Sequence, residues 1–134
     1  MATVSKTQDR AIPSNHRAVS FDATTPDFAA LDVIDFQGSL GRSASRVEIV
    51  CDADASVTVR INSQHTRYPI HPEARLLNFP AKDLASGTTY TNAQAATETV
   101  GNGETLVIDD LAISNLEVTA LTVGAGTGVV INAR

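Results

Sequence analysis

The chain has 134 residues, a net charge of −5 and a hydrophobic fraction of 43%, with four Phe, two Tyr and no Trp. That length suits one domain able to bury roughly two-thirds of its unfolded surface. The acidic balance, without a basic run, argues against a phosphate-backbone binder, and no apolar run approaches the ~20 residues of a membrane span.

Residues 1–15 are polar, contain Pro13 and show no periodicity. They read as an extended arm, either loose as termini commonly are or ordered against a neighbouring subunit. Residues 16–134 then form the single domain. In 16–22, Val19 and Phe21 alternate with Ser20 and Asp22, which predicts a first strand. Pro26 behind two threonines suggests a short helical turn in 23–30 with Thr25 as its N-cap. A second strand with bulge character follows over 31–36, with Leu31, Val33 and Phe36 pointing inward.

Residues 37–45 are rich in Gly and Ser and read as a loop carrying Arg42. Residues 46–51 and 56–61 alternate strictly and are separated by Asp52, Ala53, Asp54 and Ala55, so they are expected to pair as a hairpin. Tyr68-Pro69-Ile70-His71-Pro72 lacks two backbone donors and is confined to an edge strand or loop. Residues 76–80 suggest a short strand or an apolar plug. The 81–102 connection is long for a compact domain, which marks a protruding loop or a weak hairpin near 88–91.

The clearest signal is 101–134, where Leu106, Ile108, Ile113, Leu116, Val118, Leu121, Val123, Val129 and Ile131 recur with a period near two. Three strands in this stretch predict an antiparallel meander, with Asp109-Asp110 and the Gly124-Ala125-Gly126 run as turns. The fold class expected is all-β: an antiparallel sandwich with an aliphatic core.

The chemistry of catalysis is not written in the sequence. Cys51, the single cysteine, excludes an internal disulfide and a cysteine-based zinc cage, and its strand setting makes it a small core hydrophobe. His16, His65 and His71 lack metal-ligand spacing. The Asp52/Asp54 and Asp109/Asp110 pairs lack the ligand order of a calcium loop and read as turn formers. The run Gly124-Ala125-Gly126-Thr127-Gly128 precedes a strand where a phosphate loop would precede a helix. Serines lie outside any nucleophile elbow. The expectation is therefore a protein that is not an enzyme and carries no cofactor. The start of the chain has no apolar leader-like segment, so synthesis in a cytoplasm is expected.

Surface remains. Eight of the ten basic residues are Arg. Arg42, Arg60, Arg67 and Arg75, together with Tyr68, are types enriched in protein interfaces, and their concentration between 60 and 75 makes that region the candidate contact surface.

The stretch Gly103-Glu104-Thr105-Leu106, with Ile108-Asp109-Asp110-Leu111, Ile113 and Leu116, and the Gly-rich approach to a last strand resemble small virion proteins of tailed bacteriophages. The segment 57–70, ending in Tyr68-Pro69-Ile70, is similar to the stretch that precedes it in such proteins. The likeness covers roughly residues 46–134 and is one of strands and turns. Size and the lack of fibre repeats place it nearest the capsid decoration or cement proteins. It implies a jelly-roll-like sandwich that forms a homo-oligomer, dimer or trimer, and bridges neighbouring copies of a major capsid protein on the capsid exterior. Tail, baseplate or adaptor components share the pattern. A carbohydrate-binding sandwich is the reading from another class, disfavoured by the scarcity of aromatic platforms. The resemblance carries no catalytic residues and no nucleic-acid or membrane partner.

Overall fold

The computed structural model describes residues 2–7, 11–67, 88–91, 96–124 and 128–134. Its strands are β1 Thr3–Val4, β2 Val19–Asp22, β3 Val33–Asp35, β4 Ala44–Cys51, β5 Ser56–Ile61, β6 Gln64–Arg67, β7 Thr88–Thr91, β8 Thr97–Val100, β9 Thr105–Ile113, β10 Asn115–Thr122 and β11 Val129–Ala133. One short helix, α1, covers Phe36–Leu40, and a 3₁₀ turn covers Ser14–His16. The chain is thus all-β, as its periodicity predicts.

A five-stranded sheet has the order β1-β3-β10-β5-β8 and a four-stranded sheet the order β2-β11-β4-β9, while β6 and β7 pair apart from both. Ladders within the two sheets are antiparallel except for β1 against β3, which is parallel. Val47, Ile49 and Cys51 from β4 meet Val57, Val59 and Ile61 from β5 in one core, joined by Leu116 and Val118 of β10 and by Val129 and Ile131 of β11. Each set lies on one face of its strand because successive side chains alternate. The core is not purely aliphatic: Phe21, Phe28 and Phe36 are buried, and Phe21 meets Phe36 edge to face at 6.1 Å.

Two sequence expectations about pairing fail for one reason. The stretches 46–51 and 56–61 are strands, but β4 and β5 belong to different sheets, so 52–55 is an arch between layers and not a hairpin turn. Nor is 101–134 a meander, since β9 and β11 lie in the four-stranded sheet and β10 in the other. Alternation reports which face is buried, and both layers of a sandwich bury a face toward the same core.

What selects the layer is the hydrogen bonding of two corners. At one end, Asp52 accepts Gly103 N and Ala55 N through its carbonyl and Gly128 N through Oδ2 at 3.0 Å, tying three crossings together. At the other end, Asn62 donates Nδ2 to Ala112 O at 2.9 Å, and its Oδ1 accepts Ser114 N at 2.8 Å.

Smaller differences follow from local chemistry. Residues 23–30 contain turns instead of a Thr25-capped helix: Asp22 accepts Thr24 N through Oδ1 and Thr25 N and Asp27 N through its carbonyl. Leu31 is 61% exposed with φ 72°, against expectation, whereas Val33 and Phe36 are buried as expected and Ile34 joins the core as well. The expected loop at 37–45 begins as α1, with Asp35 accepting Gly38 N at its start and Gly41 left-handed at its end. Asp109 and Asp110 lie inside β9, where a register shift between Asp109 and Ile113 absorbs the irregularity predicted as a turn.

Residues 2–7 of the expected arm run beside the chain's own body. Ala2 O accepts Val33 N, Lys6 N donates to Ser39 Oγ, and the Lys6 side chain reaches Ser20 O and Asp27 Oδ2.

Candidate interaction surface

The sequence-derived contact residues fall on three parts of the fold. Arg60 is on β5, on the outward face of the five-stranded sheet. Its registered neighbour on β10 is Glu117, and Arg60 Nη1 lies 3.6 Å from Glu117 Oε2. Both side chains are largely covered, at 23% and 15% exposure, so this pair is shielded from solvent more than a surface ion pair is. Arg42 follows α1 on the way into β4 and donates Nη1 to Ser43 O at 2.9 Å. Arg67 closes β6, in register with Thr88 of β7. Tyr68 and Arg75 lie outside the described residues.

Around Arg60 the outward face is hydroxylic. Thr58 Oγ1 and Thr99 Oγ1 are 3.1 Å apart across β5 and β8, and Thr119 Oγ1 donates to Thr58 O. β-branched threonines suit a half-covered strand surface and add cross-strand hydrogen bonds. The face offers donors and acceptors and one neutralised charge pair, which suits a polar protein contact more than anion capture.

From this face the chain leaves the sandwich. β5 ends at Ile61, Asn62 turns with φ 56°, and β6 begins at Gln64. Asparagine tolerates the left-handed region better than most residues. Its side chain is fixed by Ala112 O, Ser114 N and Ser114 Oγ, so the root of the β6–β7 hairpin is bolted to the β9–β10 corner. Asn62 is not among the residues that the sequence singles out. Its signal was an Asn directly after a strictly alternating strand, and its partners 50 and 52 positions away were not readable.

Other features explain themselves structurally. Cys51 is buried, with Sγ 3.7 Å from Val100 O, and burial pushes its thiol pKa up, with Asp52 and Glu104 adding to the rise. Asp109 pairs with Arg46 at 3.6 Å, and Asp52 serves the corner described above. Among the described residues, no three His, Cys, Asp or Glu side chains are grouped to hold a metal ion. An open depression of about 340 Å³ crosses β2, β11 and β4 and is bordered by Ser20, Arg46, Glu48 and Asn132. No helix among the described residues is long and apolar enough to cross a membrane.

Compared with known proteins, the chain matches no family model, no curated protein and no solved structure.

Proposed function

We propose that the chain is a structural virion protein that binds the outer surface of a bacteriophage capsid and cements neighbouring major capsid subunits as a homo-oligomer. Its sandwich is read as a jelly roll. Support comes from the strand order: successive strands β2, β3, β4 and β5 alternate between sheets, as do β8, β9, β10 and β11. Such interleaving packs the two sheets into one unit in which most strands are held by neighbours distant in sequence.

The single observation carrying the reading is a two-sheet sandwich with a separately paired β6–β7 ladder, rooted through Asn62 on one end of the body. The 60–100 region and the N-terminal segment 1–15, whose Thr3–Val4 strand joins the five-stranded sheet, are the contact elements. The hydroxylic face around Arg60 is their continuation. The protein is not an enzyme in this reading, and its action is passive. Many copies engage a repeating shell, so modest individual contacts multiply through simultaneous attachment.

The test is to add the purified chain to expanded, undecorated heads. Saturable binding and increased resistance of the heads to heat is the expected result. Absence of binding, with co-purification on tails, assigns the chain to a tail, baseplate or adaptor role instead. Tight binding on a glycan array without head binding assigns it to surface carbohydrate.

A further inference from the structure

The four-stranded sheet has two edges that differ chemically, and the difference identifies a partner for one of them. Main-chain direction along β4 fixes which groups are free. Arg46 N donates to Arg134 O and Arg134 N to Arg46 O, so Arg46 faces β11, while Cys51 N donates to Glu104 O on the β9 side. Alternation then turns Val47 and Ile49 toward Ile108 and Leu106. On β9, therefore, Thr105, Val107 and Asp109 direct their N–H and C=O groups away from the sheet. Among the described residues nothing bonds to these groups, and Val107 is 40% exposed.

The free stretch is bounded at both ends. Beyond Asp109 the register shifts, and Ala112 O is already taken by Asn62 Nδ2. Before Thr105, Glu104 turns its carbonyl back to Cys51. What remains is five residues, Thr105 to Asp109, with no proline, no lysine and no covering loop among the described residues, protected only at its end by Asp109 and the register shift that follows it.

We propose that β9 pairs antiparallel with β9 of a second copy about a two-fold axis through Val107. The choice of occupant comes from the palindrome of the free groups. Val107 meets Val107 of the second copy, and Thr105 faces Asp109 in both halves, so a hydroxyl donates to a carboxylate on each side. Three facing pairs exchange about six main-chain hydrogen bonds, the pattern of an antiparallel ladder. The register shift beyond Asp109 and the Glu104 carbonyl turned to Cys51 confine pairing to the five central residues. The far edge of the sheet is blocked by Lys6 and Asp27, so the joined sheets end there and the assembly closes as an isologous dimer.

The inference rests on the reading above only in supplying an interface for its homo-oligomer, and the test uses no heads. Sedimentation velocity of the full chain over a concentration series should show the mass rising from monomer to dimer, over roughly the micromolar to millimolar range, and stopping there. Val107→Pro removes an outward donor without touching the β4 ladder, the one setting in which a strand tolerates proline. Val107→Lys places a charge at the two-fold axis. Both should weaken association about tenfold or more, and Val107→Lys should keep the parent's thermal transition, which decides the matter if the proline variant fails to fold. A chain that stays monomeric throughout, grows beyond dimer, or dimerises equally well in both variants overturns the proposal. Head binding by such a chain leaves the capsid reading standing, so the two fail separately.

Discussion

The edges at β2 and β9 belong to one sheet, yet one is sealed by side chains and the other, among the described residues, is bare. On β2, Ser20 and Asp22 carry the outward main-chain groups, and nearly all are occupied: Lys6 Nζ donates to Ser20 O, Asp22 N donates to Asp27 Oδ2, and Asp22 O takes Thr25 N and Asp27 N. Lys6 and Asp27 also pair with each other at 2.9 Å, and Lys6 lies 5.3 Å from the centre of the Phe21 ring. Two charged side chains imitate a neighbouring strand there. The lesson is that strand length and hydrophobicity do not by themselves mark a sticky edge; what matters is whether local groups have consumed its donors and acceptors.

The comparison breaks most severely at its anchor. Phe21 is fully buried under Lys6 and against Phe36, so Phe21→Ala opens a cavity and loosens β2, with an expected loss of about 3–5 kcal/mol in urea unfolding. Asp27→Ala comes next. It leaves the part-buried Asp22 N–H without its charged acceptor and Lys6 without its partner, a loss of about 1.5–3 kcal/mol. That variant should also uncover the β2 edge. Light scattering should then show assemblies larger than those of the parent chain, whereas a stability loss without new association would mean that the clip does not guard the edge.

Acid sharpens the same contrast without mutation. The Lys6 hydrogen bond, followed by the Asp22 amide, holds the Asp27 carboxyl below the usual aspartate range. A depressed native pKa means stability that is present above the unfolded value and is lost as pH falls through the native one. The advantage of the parent over Asp27→Asn in thermal unfolding should therefore be constant near neutrality and shrink from about pH 4 downward. The protection of the Asp22 amide, measured against its intrinsic exchange rate at each pH, should fall over the same window.

Much of the fold could be read from the chain, for a definite reason. Val19 and Phe21, Val47, Ile49 and Cys51, and Val57, Val59 and Ile61 are all buried as their period of two requires. The layer to which each strand belongs was not readable. It depends on Asp52 reaching Gly128 and on Asn62 reaching Ser114, contacts 76 and 52 positions apart that leave no periodic trace. α1 escaped because Phe-Gln-Gly-Ser-Leu has weak helix propensity, and its cap at Asp35 outweighs that only locally. At the candidate surface, residue type suggested Arg60, but its ion pair with Glu117 required the β5–β10 register. The Lys6–Asp27 seal was hidden for the same reason.

The smallest effect lies in the crossing that carries this seal from β2 to β3. Leu31 is left-handed and mostly exposed, while its N–H donates to Val118 O at 2.7 Å beside the register shift in β10. Neighbouring bonds hold it there: Val118 N donates to Asp32 O, and Ala29 N to Asp32 Oδ2. A leucine gains little from burial at this position and bears the steric penalty of a positive φ, which glycine escapes. Glycine also enlarges the freedom of the unfolded chain, which opposes the gain. The balance favours Leu31→Gly by up to about 1 kcal/mol, read as a small rise in thermal midpoint with the Asp27 clip undisturbed. A fall in midpoint would mean that the leucine side chain packs against the loop strongly enough to outweigh its own strain.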